Sequence, residues 1–105
     1  MDKKDAVRIA TKFAHAVNEK YKYSKVILFG SYAKGSYNED SDIDIAVILD
    51  DYNNLIDTQL ELMRLRRKID SRLEPHPFRK IEFNISNPLV NEIIKFGQEI
   101  TINMV

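Results

Sequence analysis

The chain has 105 residues, which is long enough for one domain with a single modest hydrophobic core and too short for two. Sixteen basic residues balance sixteen acidic ones, which excludes a global electrostatic attraction to nucleic acid or to membranes. The sequence has no cysteine, no apolar run near the roughly 20 residues that span a bilayer, and no start that resembles a signal peptide. We therefore expect a single cytoplasmic domain over residues 1–105.

The first predicted element is a helix over residues 2–20. Apolar side chains recur there at intervals of three and four residues, which is typical of a helix that covers one face of a sheet. This stripe consists of Ala6, Ile9, Ala10, Phe13, Ala14 and Val17. His15 lies in the same helix, and we interpret it as a surface or partly packed residue rather than a ligand.

Two apolar runs, residues 26–29 and 45–49, are bounded by turn residues and predict two buried strands. The missing side chain at Gly30 lets an anionic ligand approach the backbone, and the Ser31 hydroxyl can donate to phosphate oxygens. If Ser31 caps a short helix that stops at Gly35, the free N–H groups of that helix add an anion site. The turn after the first strand is therefore predicted to bind phosphate.

Asp42 and Asp44 begin the second of these strands, two positions apart. On a strand, both side chains leave the same face, with Cα atoms roughly 6–7 Å apart. Like charges on one face repel each other unless a cation lies between them, and carboxylate oxygens are ligands that suit Mg²⁺. We therefore expect the two aspartates to bind a divalent metal ion.

Ten residues separate Ser31 from Asp42. With this spacing, residues 30–44, GSYAKGSYNEDSDID, resemble the signature of the DNA polymerase beta nucleotidyltransferase superfamily, and in particular of its minimal nucleotidyltransferases. The resemblance implies an α/β (α+β) fold of the polymerase beta type, with a small mixed β-sheet flanked by helices. It also implies a metal-dependent reaction in which a nucleoside monophosphate, expected to be AMP from ATP, is transferred to a hydroxyl and pyrophosphate is released.

The same resemblance assigns roles to individual residues of this stretch. Asp42 and Asp44 would be catalytic residues that bind two Mg²⁺ ions, with Mn²⁺ as the alternative. Gly30 and Ser31 would position the β and γ phosphates of the nucleotide. Ser41 is expected to contact the nucleotide as well.

Three further residues of the loop are candidates for nucleotide contacts. Lys34 is the one basic residue between the phosphate turn and the metal pair, so it is placed to meet a triphosphate. Tyr32 and Tyr37 could stack on a nucleobase, although exposed loop tyrosines without that role are commoner.

A second long helix is predicted over residues 53–68, after the second strand. Asp50 and Asp51 precede it, and we interpret them as N-terminal caps rather than extra ligands. The basic run at residues 64–68 could suggest nucleic-acid binding, but bases in a final helical turn also complement the helix dipole. We favour the structural role, and no direct binding of nucleic acid is expected.

Residues 69–74 alternate between apolar and polar side chains, which predicts a short strand. Glu74 precedes Pro75, which favours extended backbone at residue 74. Pro77 should then prevent the segment from continuing as a central strand. Glu74 is therefore predicted to lie at the end of a strand.

Members of the superfamily carry a third carboxylate on the strand beside the Asp-x-Asp strand, and Glu74 is the residue here that resembles it. It would be a third metal ligand or the base that takes the proton of the attacking hydroxyl. Asp70, on the same face of the predicted strand, is the competing candidate. Glu82 is a further alternative.

The C-terminal third carries weaker signals. His76, between two prolines, could line the pocket or could equally be a loop residue. Residues 79–85 alternate like a strand but follow a proline-rich turn. A helix over residues 88–96 is predicted from a proline at its start and Gly97 as its C-cap, followed by a final strand over residues 99–105.

The resemblance also implies a partner, because longer relatives add a helical domain that presents the acceptor. Minimal nucleotidyltransferases are often paired with a separate helical HEPN-type protein and act as the antitoxin of a toxin–antitoxin pair, and some modify a tyrosine of that toxin with AMP. Two alternatives stay open at this point. The chain could be the catalytic subunit of a small-molecule nucleotidyltransferase, similar to aminoglycoside nucleotidyltransferases, or a non-catalytic antitoxin that neutralises its partner by binding. A homo- or hetero-oligomer is compatible with each.

Overall fold

A four-stranded mixed sheet with helices on both faces forms the framework of the protein. The computed structural model describes residues 1–102. Its elements, in chain order, are α1 Lys3–Lys20, β1 Lys25–Phe29, α2 Ser31–Lys34, β2 Ile43–Leu49, α3 Leu55–Arg67, β3 Leu73–Arg79, a 3₁₀ helix Lys80–Glu82, α4 Pro88–Phe96 and β4 Gln98–Ile100. No helix within residues 1–102 is long and apolar enough to cross a membrane.

The strands are arranged in the order β3-β2-β1-β4. β1 is antiparallel to both β2 and β4, whereas β2 and β3 are parallel. A parallel pair needs a crossover connection, and α3 supplies it. The predicted fold class, an α/β fold with a small mixed sheet flanked by helices, is confirmed.

One face of the sheet carries the main core. The buried side chains of α1 and Leu62 of α3 pack there against alternate residues of the strands, such as Leu28 and Ile45. Asp2 caps the first helix by accepting a hydrogen bond from the Asp5 N–H at 2.9 Å. His15 is exposed on this helix, in agreement with its interpretation from the sequence.

The opposite face of the sheet is covered less completely. A smaller apolar cluster there joins Ile27, Phe29, Ala46 and Ile48 to Ile93 of α4. Asp44 is paired with Phe29 and therefore lies on this second face. Because α4 covers only part of the face, the carboxylate end stays partly open to solvent.

The predicted caps of α3 are wrong. The side chain of Asn54, not that of Asp50 or Asp51, caps the helix by accepting a hydrogen bond from the Asp57 N–H at 3.0 Å. The Asp51 carboxylate instead accepts a hydrogen bond from Arg79 Nε at 3.0 Å. The helix begins two residues later than predicted because Asn54, in extended geometry, is the residue that caps it.

The predicted strand over residues 69–74 is also wrong. β3 runs from Leu73 to Arg79 and includes both Pro75 and Pro77. It is an edge strand, so the N–H groups that these prolines lack are not needed by a second neighbour. Asp70 lies in the turn before β3 and accepts hydrogen bonds from Arg72, so it does not share a strand face with Glu74.

Residues 79–85, which the sequence left open between a strand and a turn, form no further strand after Arg79. Beyond β3 the chain turns through the 3₁₀ helix Lys80–Glu82. Arg79 fixes this turn, since its Nη2 donates to the Tyr52 carbonyl at 2.9 Å and its Nη1 donates to the Glu82 carboxylate at 3.0 Å. Glu82 is therefore part of a surface ion pair away from Asp44.

The helix predicted over residues 88–96 is confirmed as α4, with Gly97 at its C-terminal end. A Cβ atom at Gly97 would lie 2.4 Å from the Ile93 carbonyl oxygen, which explains the glycine. The strand predicted over residues 99–105 is shorter, because β4 ends at Ile100. Residues 103–105 of that prediction lie outside the described residues.

Candidate active site

Asp44 and Glu74 occupy paired positions on the parallel strands β2 and β3. Paired residues of neighbouring strands project from the same face and are about 4.8 Å apart across the ladder. Both carboxylates are half-buried, whereas Ile43 and Ile45 are fully buried on the other face. The sheet therefore places two acids side by side, which supports Glu74 as the third carboxylate.

Asp42 lies immediately before β2 and is exposed. The next residue, Ile43, donates its N–H to the Arg72 carbonyl at 2.8 Å, so the ladder with β3 already begins here. Asp42 is therefore an exposed residue two positions before Asp44, at the start of the strand pair. All three predicted acids lie at the N-terminal ends of the parallel strands, beside the end of β1.

The turn after β1 contacts Asp44 directly. Gly30 has φ 75° and ψ −150°, a conformation that side-chain-bearing residues rarely adopt. A Cβ atom at this position would lie 2.3 Å from Asp44 Oδ2. Only glycine allows the Asp44 carboxylate to pack against the turn, so the phosphate motif and the metal motif of the sequence meet here.

The short helix predicted after this turn exists, but its predicted cap is wrong. Gly30 occupies the N-cap position without a side-chain hydrogen bond, and Ser31 is the first helical residue. The helix ends after Lys34, and Gly35 follows in the left-handed conformation with φ 83°. The Ser31 hydroxyl is therefore not used as a cap.

Two residues expected to bind the nucleotide have protein partners. Lys34 Nζ pairs with the Glu92 carboxylate on α4 and lies 5.2 Å from the centre of the Phe96 ring. The Ser41 hydroxyl accepts a hydrogen bond from the Asn38 N–H at 2.8 Å and closes the loop before Asp42. The roles of Lys34 and Ser41 in nucleotide binding stay predictions.

Of the two loop tyrosines, Tyr32 is buried in the core and is only 1 % exposed. It stacks on Tyr37, with ring centres 4.6 Å apart and planes 17° apart. The possibility that Tyr32 stacks on a nucleobase is therefore not supported, because the helical turn of α2 directs this ring inward.

His76 is a strand residue of this site, which the sequence did not establish. It lies two positions after Glu74 and therefore on the same face of β3. Its Nε2 is 3.5 Å from Asp44 Oδ1, and its ring meets Phe29 edge to face at 5.3 Å. Nε2 is buried and has no hydrogen-bond partner among the described residues, so it is available to a ligand atom or to Asp44.

The acids of the site can serve a divalent ion only together with other ligands. Within residues 1–102, no three His, Cys, Asp or Glu side chains are close enough together to hold a metal ion by themselves. Mg²⁺ sites in nucleotide enzymes, however, often use one or two carboxylates and complete the shell with water and substrate phosphates. Asp42, Asp44 and Glu74 are oxygen donors of the required type, and Asp44 lies directly against the Gly30 turn. They fit an ion that is shared with a nucleotide.

An apolar groove lies elsewhere on the same sheet face. Its volume is about 610 Å³, and its floor includes Ile27, Ile48, Phe83 and Ile93. None of the three acids lines it. The groove is therefore separate from the site, which is a shallow and partly exposed arrangement at the other end of the strands.

Comparison with known proteins agrees with this geometry. Residues 10–100 match the family described as the nucleotidyltransferase domain. Two relatives from Methanocaldococcus jannaschii both bear the name "putative protein adenylyltransferase". One is 32 % identical over 84 residues, which is 77 % of this chain and 82 % of the relative. The other is 46 % identical over 54 residues, but the match spans only 49 % of this chain and 54 % of that relative.

Solved structures share the fold. A "putative nucleotidyltransferase from Sulfolobus solfataricus" superposes with a TM-score of 0.69 and 20 % identity, over 92 % of this chain and 80 % of that one. A chain described as "the toxin-antitoxin with AMP-PNP" superposes with a TM-score of 0.63 and 24 % identity, over 87 % of this chain and 72 % of that one. The family match covers most of the sequence, and the chain therefore belongs to the nucleotidyltransferase domain family, as one of its minimal members.

Proposed function

We propose that the chain transfers AMP from ATP to a tyrosine hydroxyl of a separate, helical HEPN-type toxin and thereby acts as its antitoxin in the cytoplasm. The observation that carries this proposal is the pairing of Asp44 with Glu74 directly beside the Gly30 turn. Paired carboxylates next to a glycine turn suit in-line transfer at phosphorus, in which positioning and charge do most of the catalytic work.

The proposed reaction forms one bond and breaks one bond. The oxygen of the acceptor hydroxyl attacks the α-phosphorus, and the bond from that phosphorus to the oxygen bridging to the β-phosphorus breaks. AMP becomes attached to the acceptor, pyrophosphate leaves, and the hydroxyl proton is released. Glu74 is the proposed third carboxylate of the site, and Gly30 and Ser31 receive the β and γ phosphates.

Mg²⁺, or Mn²⁺ in its place, would be held by Asp42, Asp44 and Glu74 together with the phosphates, and would lower the pKa of the attacking hydroxyl and neutralise the leaving group. The protein contributes the orientation of these acids. Asp44 packs against the Gly30 turn with His76 Nε2 3.5 Å from its Oδ1, and the parallel ladder sets the backbone position of Glu74. Donors that are positioned before the reaction need little reorganisation during it.

A protein acceptor is favoured by the relatives' names and by the surface of the chain. Residues 81–96 carry five large apolar side chains that are at least 37 % exposed. These are Ile81, Ile85, Leu89, Ile94 and Phe96. Exposed apolar side chains gathered on one segment are typical of a protein contact surface.

The proposal is tested by incubating the protein with ATP labelled in its α-phosphate, Mg²⁺ and the candidate toxin, and then repeating the assay with Asp42→Asn and Asp44→Asn. We expect label on the toxin with the unchanged protein and none with either variant. Asp40→Asn, in the same loop but outside the site, is the control and should retain transfer.

Two results would contradict the proposal. Neutralisation of the toxin by both variants, without any label, would identify a binding-only antitoxin. Label that appears on an aminoglycoside but not on the toxin would identify a small-molecule nucleotidyltransferase.

A further inference from the structure

The loop that follows the phosphate turn is tied to α4 by one ion pair. Lys34 Nζ, four residues after Gly30, contacts the Glu92 carboxylate, although the two residues are 58 positions apart in the sequence. The same ammonium lies 5.2 Å from the centre of the Phe96 ring, also on α4. Both contacts hold the positive charge of Lys34 against α4.

The Lys34–Glu92 ion pair is exposed enough for Lys34 to change its partner. Each side chain of the Lys34–Glu92 pair is 37 % exposed, so water screens the attraction and the pair adds little to stability. A triphosphate on the Gly30 turn would bring several negative charges near the same ammonium. Phosphate oxygens are stronger partners for lysine than a single exposed carboxylate, because they carry more charge.

Helix α4 itself does not depend on this pair. Val90 and Ile93, on its inner face, are 0 % and 1 % exposed and attach the helix to the sheet. Asn87 caps its beginning by accepting a hydrogen bond from the Leu89 N–H at 2.9 Å. Release of Lys34 would therefore leave α4 in place and free only the loop of α2.

We propose that Glu92 is a positioning residue that binds the Lys34 ammonium while no nucleotide is present. When a nucleoside triphosphate binds, the ammonium leaves Glu92 and contacts the phosphates. Glu92 competes with the nucleotide for the ammonium. The protein therefore binds ATP more weakly than it would without the charge of Glu92. The inference rests on the proposed function, because it takes the Gly30–Ser31 turn as the phosphate site. It adds a residue of α4 that no spacing in the signature indicates.

Calorimetric titration of the full chain with ATP and Mg²⁺ tests this inference. Glu92→Gln keeps the shape of the side chain and removes its charge, so we expect ATP to bind about two- to five-fold more tightly, the range of exposed ion pairs. In a Lys34→Ala background the same substitution should give no gain, since no ammonium remains to be released. The gain in ATP affinity should also become smaller as the salt concentration is raised.

Glu99→Gln is the matched control. Glu99 forms an exposed ion pair with Lys25 at 3.3 Å, at the far end of β1 from Gly30, so its neutralisation should leave ATP affinity unchanged. Unchanged or weaker binding by Glu92→Gln, or a gain that persists without Lys34, would overturn the inference while leaving the proposed function intact. Failure of the unchanged protein to bind ATP would instead overturn both.

Discussion

Asp44 of β2 is the direct neighbour of Glu74 of β3 in a parallel ladder, on the sheet face that α4 leaves partly open. The pairing brings together an acid from the signature motif and an acid 30 positions further along the chain. Gly30 completes the arrangement from β1, because its missing side chain makes room for Asp44 Oδ2. Groups from β2, from β3 and from the turn after β1 thus meet in a single site, and each group can be tested separately.

Replacement of Asp44 by asparagine should reduce AMP transfer about 100-fold or more, since it removes a charged ligand of the proposed metal ion. The substitution keeps the size of the side chain, so the thermal unfolding midpoint should change little. Pyrophosphate release in the presence of ATP and the toxin measures the effect. A rate of pyrophosphate release within a factor of about three of that of the unchanged protein would show that Asp44 has no role in the reaction.

Substitutions of Glu74 separate its two proposed roles. Glu74→Gln should lower transfer about 100-fold in either role, because the charge is lost. If Glu74 is a metal ligand, the concentration of Mn²⁺ needed for half-maximal activity should also rise, whereas a base would leave it unchanged. Glu82→Gln, on the surface ion pair with Arg79, is the control, and a comparable loss of transfer there would point to the wrong acid.

Gly30 and Gly35 both have positive φ, so alanine substitutions at these two positions can be compared directly. Gly35→Ala meets no atom within 4 Å, so it should cost only about 1 kcal/mol of unfolding free energy from backbone strain, with ATP binding retained. Gly30→Ala adds a clash with the Asp44 carboxylate and should cost about 3 kcal/mol or more and abolish ATP binding. Denaturant unfolding and titration with ATP measure both quantities. Equal effects of the two substitutions would show that Asp44 does not pack against the turn.

Stability should depend on Asp70 in a pH-dependent manner. Hydrogen bonds from Arg72 hold the pKa of Asp70 below its usual value, so the folded state favours the charged carboxylate. This contribution is present above the unfolded pKa of about 3.9 and is lost as the pH falls through the lower folded pKa. Asp70→Asn should therefore cost about 0.5–1 kcal/mol at neutral pH, and the difference should disappear in acid.

Unfolding in urea at neutral and acidic pH measures this effect. Asp50→Asn removes the same charge at the exposed end of β2 and should show a much smaller difference at either pH. A cost of Asp70→Asn that stays constant down to strongly acidic pH would contradict the assigned role of the Arg72 contacts.

The central part of the site could be predicted because its signals are local. Gly30, Asp42 and Asp44 lie within 15 residues, and the strand period places the aspartates relative to one another. The fold class was predicted from the family resemblance that this stretch carries, and α4 was predicted from the proline and the glycine that mark its two ends.

The other features of the fold and the site could not be predicted, because they depend on residues that are close in the structure but distant in the sequence. Pro75 and Pro77 suggest that a strand stops, but the edge position of β3 tolerates them, and only this extended strand brings His76 to Asp44. Likewise, the inward rotation of Tyr32 and the pairing of Lys34 with Glu92 follow from how α2 and α4 pack on the sheet.

A crystal structure with AMP-PNP and Mn²⁺, in which the ion is located by its anomalous scattering, tests the central claim most directly. We expect Mn²⁺ within about 2.3 Å of carboxylate oxygens of Asp42 and Asp44 and of the phosphates, with Glu74 directed to the same point. An ion bound elsewhere, or a nucleotide whose phosphates lie away from the Gly30 turn, would contradict the account.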